Sequence, residues 1–178
     1  AKGEWNMEPV KVILIGAGSR GRVTYASYAL RHPDEVRVVA VAEPDDDKRE
    51  EMARLHGIPP ENCLSDWPGL LARDKFADAV LVCTQDRGHI KPALAAMKKG
   101  YDLLLEKPMA PTEAECLEVV KTAEETQSFV MVCHLLPYTK FFSALKQLLD
   151  EGAIVRLVSM NHAEKIGFCH YSPSYVRG

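Results

Sequence analysis

Short apolar runs alternate with polar-faced stretches along most of the chain. The runs Val10–Ile15, Val36–Ala42, Ala79–Cys83, Tyr101–Leu105 and Phe129–Cys133 are rich in Val, Ile and Leu, as strands buried on both faces of a sheet would be. Asn62–Leu64 reads as a further, shorter strand. Between them lie helical stretches. Arg22–Arg31 ends at His32-Pro33, and Asp45 opens a helix that Gly57 closes. Asp66 stands at the cap position of a short helix at Trp67–Leu71, and His89–Lys99 carries Ile90, Leu94 and Met97 at helical spacing before Gly100. Thr112 and Glu115 form a capping-box pattern ahead of a helix bearing Cys116, Val119, Val120 and Ala123 on one face. Strand and helix in regular alternation predict a doubly wound parallel α/β sheet over residues 10–133.

The pattern changes after Cys133. Tyr138–Glu151 reads as one longer helix closed by Gly152, and Ile154–His162 alternates in part, like a half-buried strand. A lone strand needs neighbours to pair with. Residues 134–178 are therefore expected to be a connecting helix and the first strand of an incomplete second domain, with an edge strand on the first sheet as the alternative. Residues 1–9 are expected to be an N-terminal tail, with Met7 as a natural start.

Chemistry enters at the first strand's end. Gly16, Gly18 and Gly21 have the spacing G-x-G-x-x-G at a strand-to-helix turn. The first glycine allows the tight turn, the second lets main chain approach a diphosphate, and the third lets the helix pack against the strand. The helix N-terminus then offers free N–H groups and positive dipole. The second strand ends at Glu43, whose carboxylate suits the two hydroxyls of an adenine ribose and repels a 2′-phosphate. That favours NAD over NADP. A methyltransferase-type site shares a glycine-rich turn and an acid after the second strand, and at this point stays open. The run Asp45-Asp46-Asp47 fits a helix start better than a metal site, because successive helical residues point in different directions.

Composition narrows the setting. The chain has 178 residues, 47% hydrophobic and 26% charged, with net charge −3 and no dense basic run, which disfavours nucleic acid and anionic membrane as partners. No apolar run approaches the roughly 20 residues of a spanning helix. Five cysteines without a C-x-x-C pair suggest neither a disulfide framework nor zinc, and a reduced, cytoplasmic setting is expected.

Glu106-Lys107-Pro108, at the end of the fifth strand in Gly100–Pro108, completes a recognisable set with the Gly16–Gly21 turn, Glu43, Thr84 and His89. The chain resembles the Gfo/Idh/MocA family of oxidoreductases, glucose–fructose oxidoreductase and inositol dehydrogenase relatives, over roughly residues 10–165. This removes most of the weight from the methyltransferase reading. The resemblance implies a Rossmann sheet and an NAD-dependent dehydrogenase of sugars or inositol-like polyols. It implies that Lys107 bonds the reacting hydroxyl or carbonyl and moves its proton, and that Gly16, Gly18, Ser19, Arg20, Gly21, Glu43, Thr84, Gln85, His89, Glu106 and Lys107 line the cofactor. A lysine half-buried beside the nicotinamide would suit that role. His89 as a helix cap is the other reading, and Glu106 either touches the nicotinamide ribose or orients Lys107.

Two departures stand out. The family usually has Thr-Pro-Asn where this chain has Thr84-Gln85-Asp86, and an arginine where Pro137 stands. Under the resemblance His134 either faces the nicotinamide or is a hydrogen-bonded junction residue, while His162, Glu164 and Tyr171–Tyr175 resemble the start of a substrate domain. The family's second acid/base motif lies beyond this chain, so a catalytically incomplete piece of a longer, homo-oligomeric enzyme is expected. An NAD-using glycosidase of the same family and a non-catalytic dinucleotide-binding module are the alternatives.

Overall fold

A computed structural model describes residues 8–153, 157–163 and 165. Its contacts divide the chain into two compact units, Ala1–Cys133 and His134–Gly178. The first unit holds six parallel strands, β1 (Val10–Ile15), β2 (Val36–Ala42), β3 (Cys63–Leu64), β4 (Ala79–Val82), β5 (Asp102–Leu105) and β6 (Val130–Val132). Their order is β3-β2-β1-β4-β5-β6. Chain order reverses between β1 and β4, the place where ligands bind in such sheets. The register pairs Ile15 with Ala42 and with Val82, and Val82 with Leu105.

Alternation along the strands splits the core in two. Ile13, Ile15, Val80, Val82, Leu103 and Leu105 face α3 (Trp67–Leu71), α4 (Ile90–Lys98) and α5 (Glu113–Thr126). Val12, Leu14, Val38, Val41 and Leu81 face the other way, with Ala26 and Ala29 near α1 (Ser27–Arg31) and Met52 of α2 (Asp46–His56). Each buried side chain of this size contributes roughly 1.5–3 kcal/mol, so the two-sided burial is what makes near-continuous apolar strands necessary.

The helix ends follow local chemistry. Asp45 caps α2 by accepting the Lys48 N–H at 3.1 Å, and Gly57 closes it at φ 62°. Thr112 accepts the Glu115 N–H at 3.3 Å, while its hydroxyl donates to the Glu115 carboxylate at 2.8 Å. Asp66 occupies its cap position without making a side-chain cap bond. α5 ends at Gln127, which holds φ 55° with a non-glycine side chain.

Two helices depart from the expected pattern. The first helix does not begin at Arg22 as an α-helix. A π-helical segment, Ser19–Ala26, precedes α1. Ser27 N–H bonds back five residues to Arg22 O. In the second unit the helix is shorter than expected. α6 (Lys140–Asp150) is preceded by a 3₁₀ turn at Leu136–Tyr138 and capped by Thr139, whose Oγ1 accepts the Phe142 N–H. Of the expected strand Ile154–His162, residues 157–162 have no strand structure, and 154–156 lie outside the described residues, as do Glu164, Tyr171–Tyr175 and residues 1–7. No strand neighbour follows β6 among the described residues, and an unpaired strand leaves its main chain unsatisfied.

Candidate functional site

Main-chain bonds continue one residue past the strands. Gly16 N–H donates to Ala42 O at 2.9 Å, Cys83 to Ile15 O at 2.8 Å, Glu106 to Val82 O at 3.0 Å and Cys133 to Leu105 O at 2.9 Å. Glu43 N–H donates to Leu64 O at 3.0 Å. This ladder aligns Gly16, Glu43, Cys83, Glu106 and Cys133 along one carboxyl edge of the sheet. The candidate residues far apart in sequence are brought together there.

The three glycines are distinguished by what surrounds them. A Cβ on Gly16, at φ 92°, would lie 2.6 Å from Cys83 O, and one on Gly21 would lie 2.0 Å from Gly16 O. Nothing within 4 Å would meet a Cβ on Gly18. So Gly16 and Gly21 are closed in by protein, and Gly18 opens on space. Arg22 N–H is the first to bond back, to Gly18 O at 2.9 Å. The N–H groups of Ser19, Arg20 and Gly21 thus belong to the unsatisfied first turn of a helix, and the Ser19 and Arg20 side chains are exposed.

Glu43 is buried and bonded on both oxygens. Oε2 accepts the Ala17 N–H at 2.6 Å and Oε1 accepts the Asp45 N–H at 3.1 Å. The carboxylate ties the glycine turn to the end of β2, and about half of its four lone-pair sites remain. The neighbouring cations have acidic partners: Lys48 with Asp45 at 2.7 Å, Arg49 with Asp46, and Arg22 with Glu51. The Lys48 ammonium holds the Asp45 carboxyl below the usual range.

Beyond β4, Thr84 Oγ1 is buried without a partner, a hydroxyl available to a ligand, and Gln85 is exposed. His89 is 1% exposed. Its Nδ1 lies 2.8 Å from Pro108 O and its Nε2 3.1 Å from Thr84 O. A neutral ring donates its one N–H to one of these carbonyls, and the ring lies between the loops after β4 and β5.

After β5, Glu106 is buried and Lys107 exposed, with a cis bond between Lys107 and Pro108. The Lys107 side chain emerges, exposed, from the end of the sheet. Glu106 Oε2 accepts the Lys107 N–H at 3.1 Å, and Oε1 lies 2.6 Å from Tyr25 Oη and 3.9 Å from Arg20 Nε. Tyr25 Oη also lies 2.8 Å from Cys133 Sγ. Burial pushes the Tyr25 phenol well above its ordinary range, with the Cys133 and Glu106 contacts adding to it, and burial does the same for Cys83 and Cys133. Tyr25 and Cys133 were not among the sequence candidates. An α-helical period gives no reason to aim Tyr25 at β5.

An open main-chain turn, a helix start with free N–H groups and an unpartnered hydroxyl across the switch point fit a dinucleotide: diphosphate at the turn and riboses to either side. Among the described residues, no three His, Cys, Asp or Glu side chains are grouped to hold a metal. No described helix is long and apolar enough to cross a membrane.

The family model described as "Oxidoreductase family, NAD-binding Rossmann fold" (GFO_IDH_MocA) matches residues 10–134. An inositol 2-dehydrogenase of Streptomyces avermitilis is 32% identical over 154 residues, 82% of this chain and 41% of that protein. Glycosyl hydrolase family 109 protein 2 of Bacteroides fragilis is 27% identical over 158 residues, 86% of this chain and 37% of that protein. Among solved structures, the WlbA dehydrogenase of Chromobacterium violaceum, in complex with NADH and UDP-GlcNAcA, superposes with TM-score 0.74 at 20% identity, over 82% of this chain and 41% of that one. That likeness speaks to the fold. The chain thus spans well under half the length of these curated relatives, at 37% and 41%.

Proposed function

Because the chain belongs to the Gfo/Idh/MocA oxidoreductase family with its NAD-binding Rossmann fold, we propose that it is the cofactor-holding part of an NAD-dependent dehydrogenase acting on a sugar or inositol-like polyol. The observation that carries this reading is the pairing of the open Gly18 turn with Lys107, which emerges at the end of β5 on the same sheet edge. The N–H groups of Ser19, Arg20 and Gly21 bind the diphosphate, with the Arg20 side chain adding charge, and Gly16 and Gly21 hold the turn in shape. The remaining lone pairs of Glu43 accept the adenine ribose hydroxyls. Thr84, Gln85 and Glu106 face the second ribose, and His89 holds their two loops together. The Glu43 carboxylate at the end of β2, with the nearby Lys48 and Arg49 already engaged by Asp45 and Asp46, favours NAD over NADP.

NAD, when bound, accepts or returns a hydride. Lys107 hydrogen-bonds the oxygen on the reacting carbon and carries its proton toward or away from solvent. Residues 134–178 belong to a second domain that takes the substrate. A homo-oligomer in the cytoplasm, without nucleic acid or membrane as partner, belongs to the same proposal. The likeness to the Streptomyces inositol 2-dehydrogenase supports the substrate class. The test is NADH formation by the whole protein on a panel of inositols and aldoses. Lys107→Ala is expected to lower turnover by about 10²–10⁴ while NADH binding persists. Turnover by Lys107→Ala equal to the unsubstituted protein would contradict the reading.

The likeness to the Bacteroides glycosyl hydrolase supports a second reading, hydrolysis of a glycoside through transient oxidation and return of the hydride. Glycoside cleavage with NAD present but no net NADH would favour it.

A further inference from the structure

Tyr25, Glu106 and Cys133 form a side-chain cluster that the reading above leaves unused. Tyr25 has one hydrogen and two partners, Glu106 Oε1 at 2.6 Å and Cys133 Sγ at 2.8 Å. An ionised carboxylate is the stronger acceptor, so the phenol donates to Glu106. The Cys133 thiol then donates to the phenol oxygen, the role left to it. Both groups keep their protons through the neutral range, since burial raises each above its ordinary value. The chain of donors runs from thiol to phenol to carboxylate. It ends where Glu106 Oε2 accepts the Lys107 N–H at 3.1 Å.

The π-helical segment puts Tyr25 in this place. Tyr25 lies within Ser19–Ala26, and its hydroxyl reaches the end of β5. The same segment carries the diphosphate-facing N–H groups, so one element addresses both ends of the proposed cofactor.

We propose that Tyr25 is a positioning residue that fixes the Glu106 carboxylate and, through it, the main chain of Lys107 at the cofactor edge. This rests on the dinucleotide reading above. Tyr25→Phe keeps the ring and removes only the hydroxyl. Two arms test the proposal in Tyr25→Phe, Glu106→Gln and the double variant. The first follows hydrogen exchange of the Lys107 amide without cofactor, and Tyr25→Phe is expected to speed it by about tenfold. The second is NADH affinity. Tyr25→Phe is expected to weaken it by roughly 3- to 10-fold in the unsubstituted background and by less than about twofold in Glu106→Gln, because the effect passes through that carboxylate. An unchanged Lys107 exchange rate, an unchanged affinity in Tyr25→Phe, or effects that simply multiply in the double variant would each overturn it. If the unsubstituted protein binds no NADH, the dinucleotide reading falls, and the exchange arm still decides whether Tyr25 fixes Lys107.

Discussion

Replacing Gly21 with alanine should damage the fold, and replacing Gly18 with alanine should not. A Cβ on Gly21 would stand 2.0 Å from Gly16 O and 3.1 Å from Leu14 Cδ1, where ordinary contact begins at 3.4 Å. The first neighbour is main chain, held by the bond from Gly16 N–H to Ala42 O at 2.9 Å. It cannot swing away as a side-chain tip would. The helix must instead retreat from β1 by about 1.4 Å, loosening Leu14 and Ala26 in the core beneath it. Overpacking costs about 1–3 kcal/mol where side chains can give. A main-chain collision belongs at the upper end, about 3 kcal/mol, a large part of the 5–15 kcal/mol typical of a domain. That corresponds to a melting temperature lower by roughly 6–12 °C. Gly18 has φ −70°, ψ −164° and free space around it. Alanine fits that conformation, and by restricting the unfolded chain it should leave stability equal or raise it by up to about 1 kcal/mol. Urea unfolding followed by circular dichroism measures both. A Gly21→Ala protein within about 0.5 kcal/mol of the unsubstituted chain would refute the close-approach argument.

Other consequences are smaller. Burial holds the His56 imidazole below its ordinary range, and its Nε2 is buried without a partner. The unfolded chain therefore binds a proton that the folded chain refuses. This contribution is fully present above the unfolded value of about 6.5 and is lost as pH falls toward the folded one. Unfolding free energies measured from pH 7.5 to 5 should decline less in His56→Gln than in the unsubstituted chain. Gln127→Gly relieves a non-glycine residue at φ 55° at the end of α5 and should stabilise by about 0.5–1 kcal/mol in the same urea experiment.

Much of this was legible in the sequence because strand, turn and cap residues answer to local rules. The apolar runs became β1 to β6 within a residue or two at their ends, and Asp45, Gly57 and Thr112 cap where expected. The glycine spacing marked the turn, although only the packing shows that Gly16 and Gly21 face protein while Gly18 faces outward. The first helix was misread because its width depends on tertiary fit, which a 3.6-residue period does not record. Tyr25 was missed for the same reason. The engagements of Glu43 with Ala17 and of His89 with Pro108 and Thr84 join segments 26, 19 and 5 residues apart. Hydrophobic patterning carries no information about such bonds, because they concern main-chain donors and acceptors common to every residue.

The account rests on a dinucleotide seated at the Gly18 turn, and NADH fluorescence titration reaches that most directly. The unsubstituted chain is predicted to bind NADH saturably. Gly18→Val, which has room in the fold, should abolish binding with unfolding unchanged, and Lys107→Ala should bind as the unsubstituted chain does. A folded chain that leaves NADH fluorescence unaltered, or a Gly18→Val variant that binds it equally well, would contradict the account.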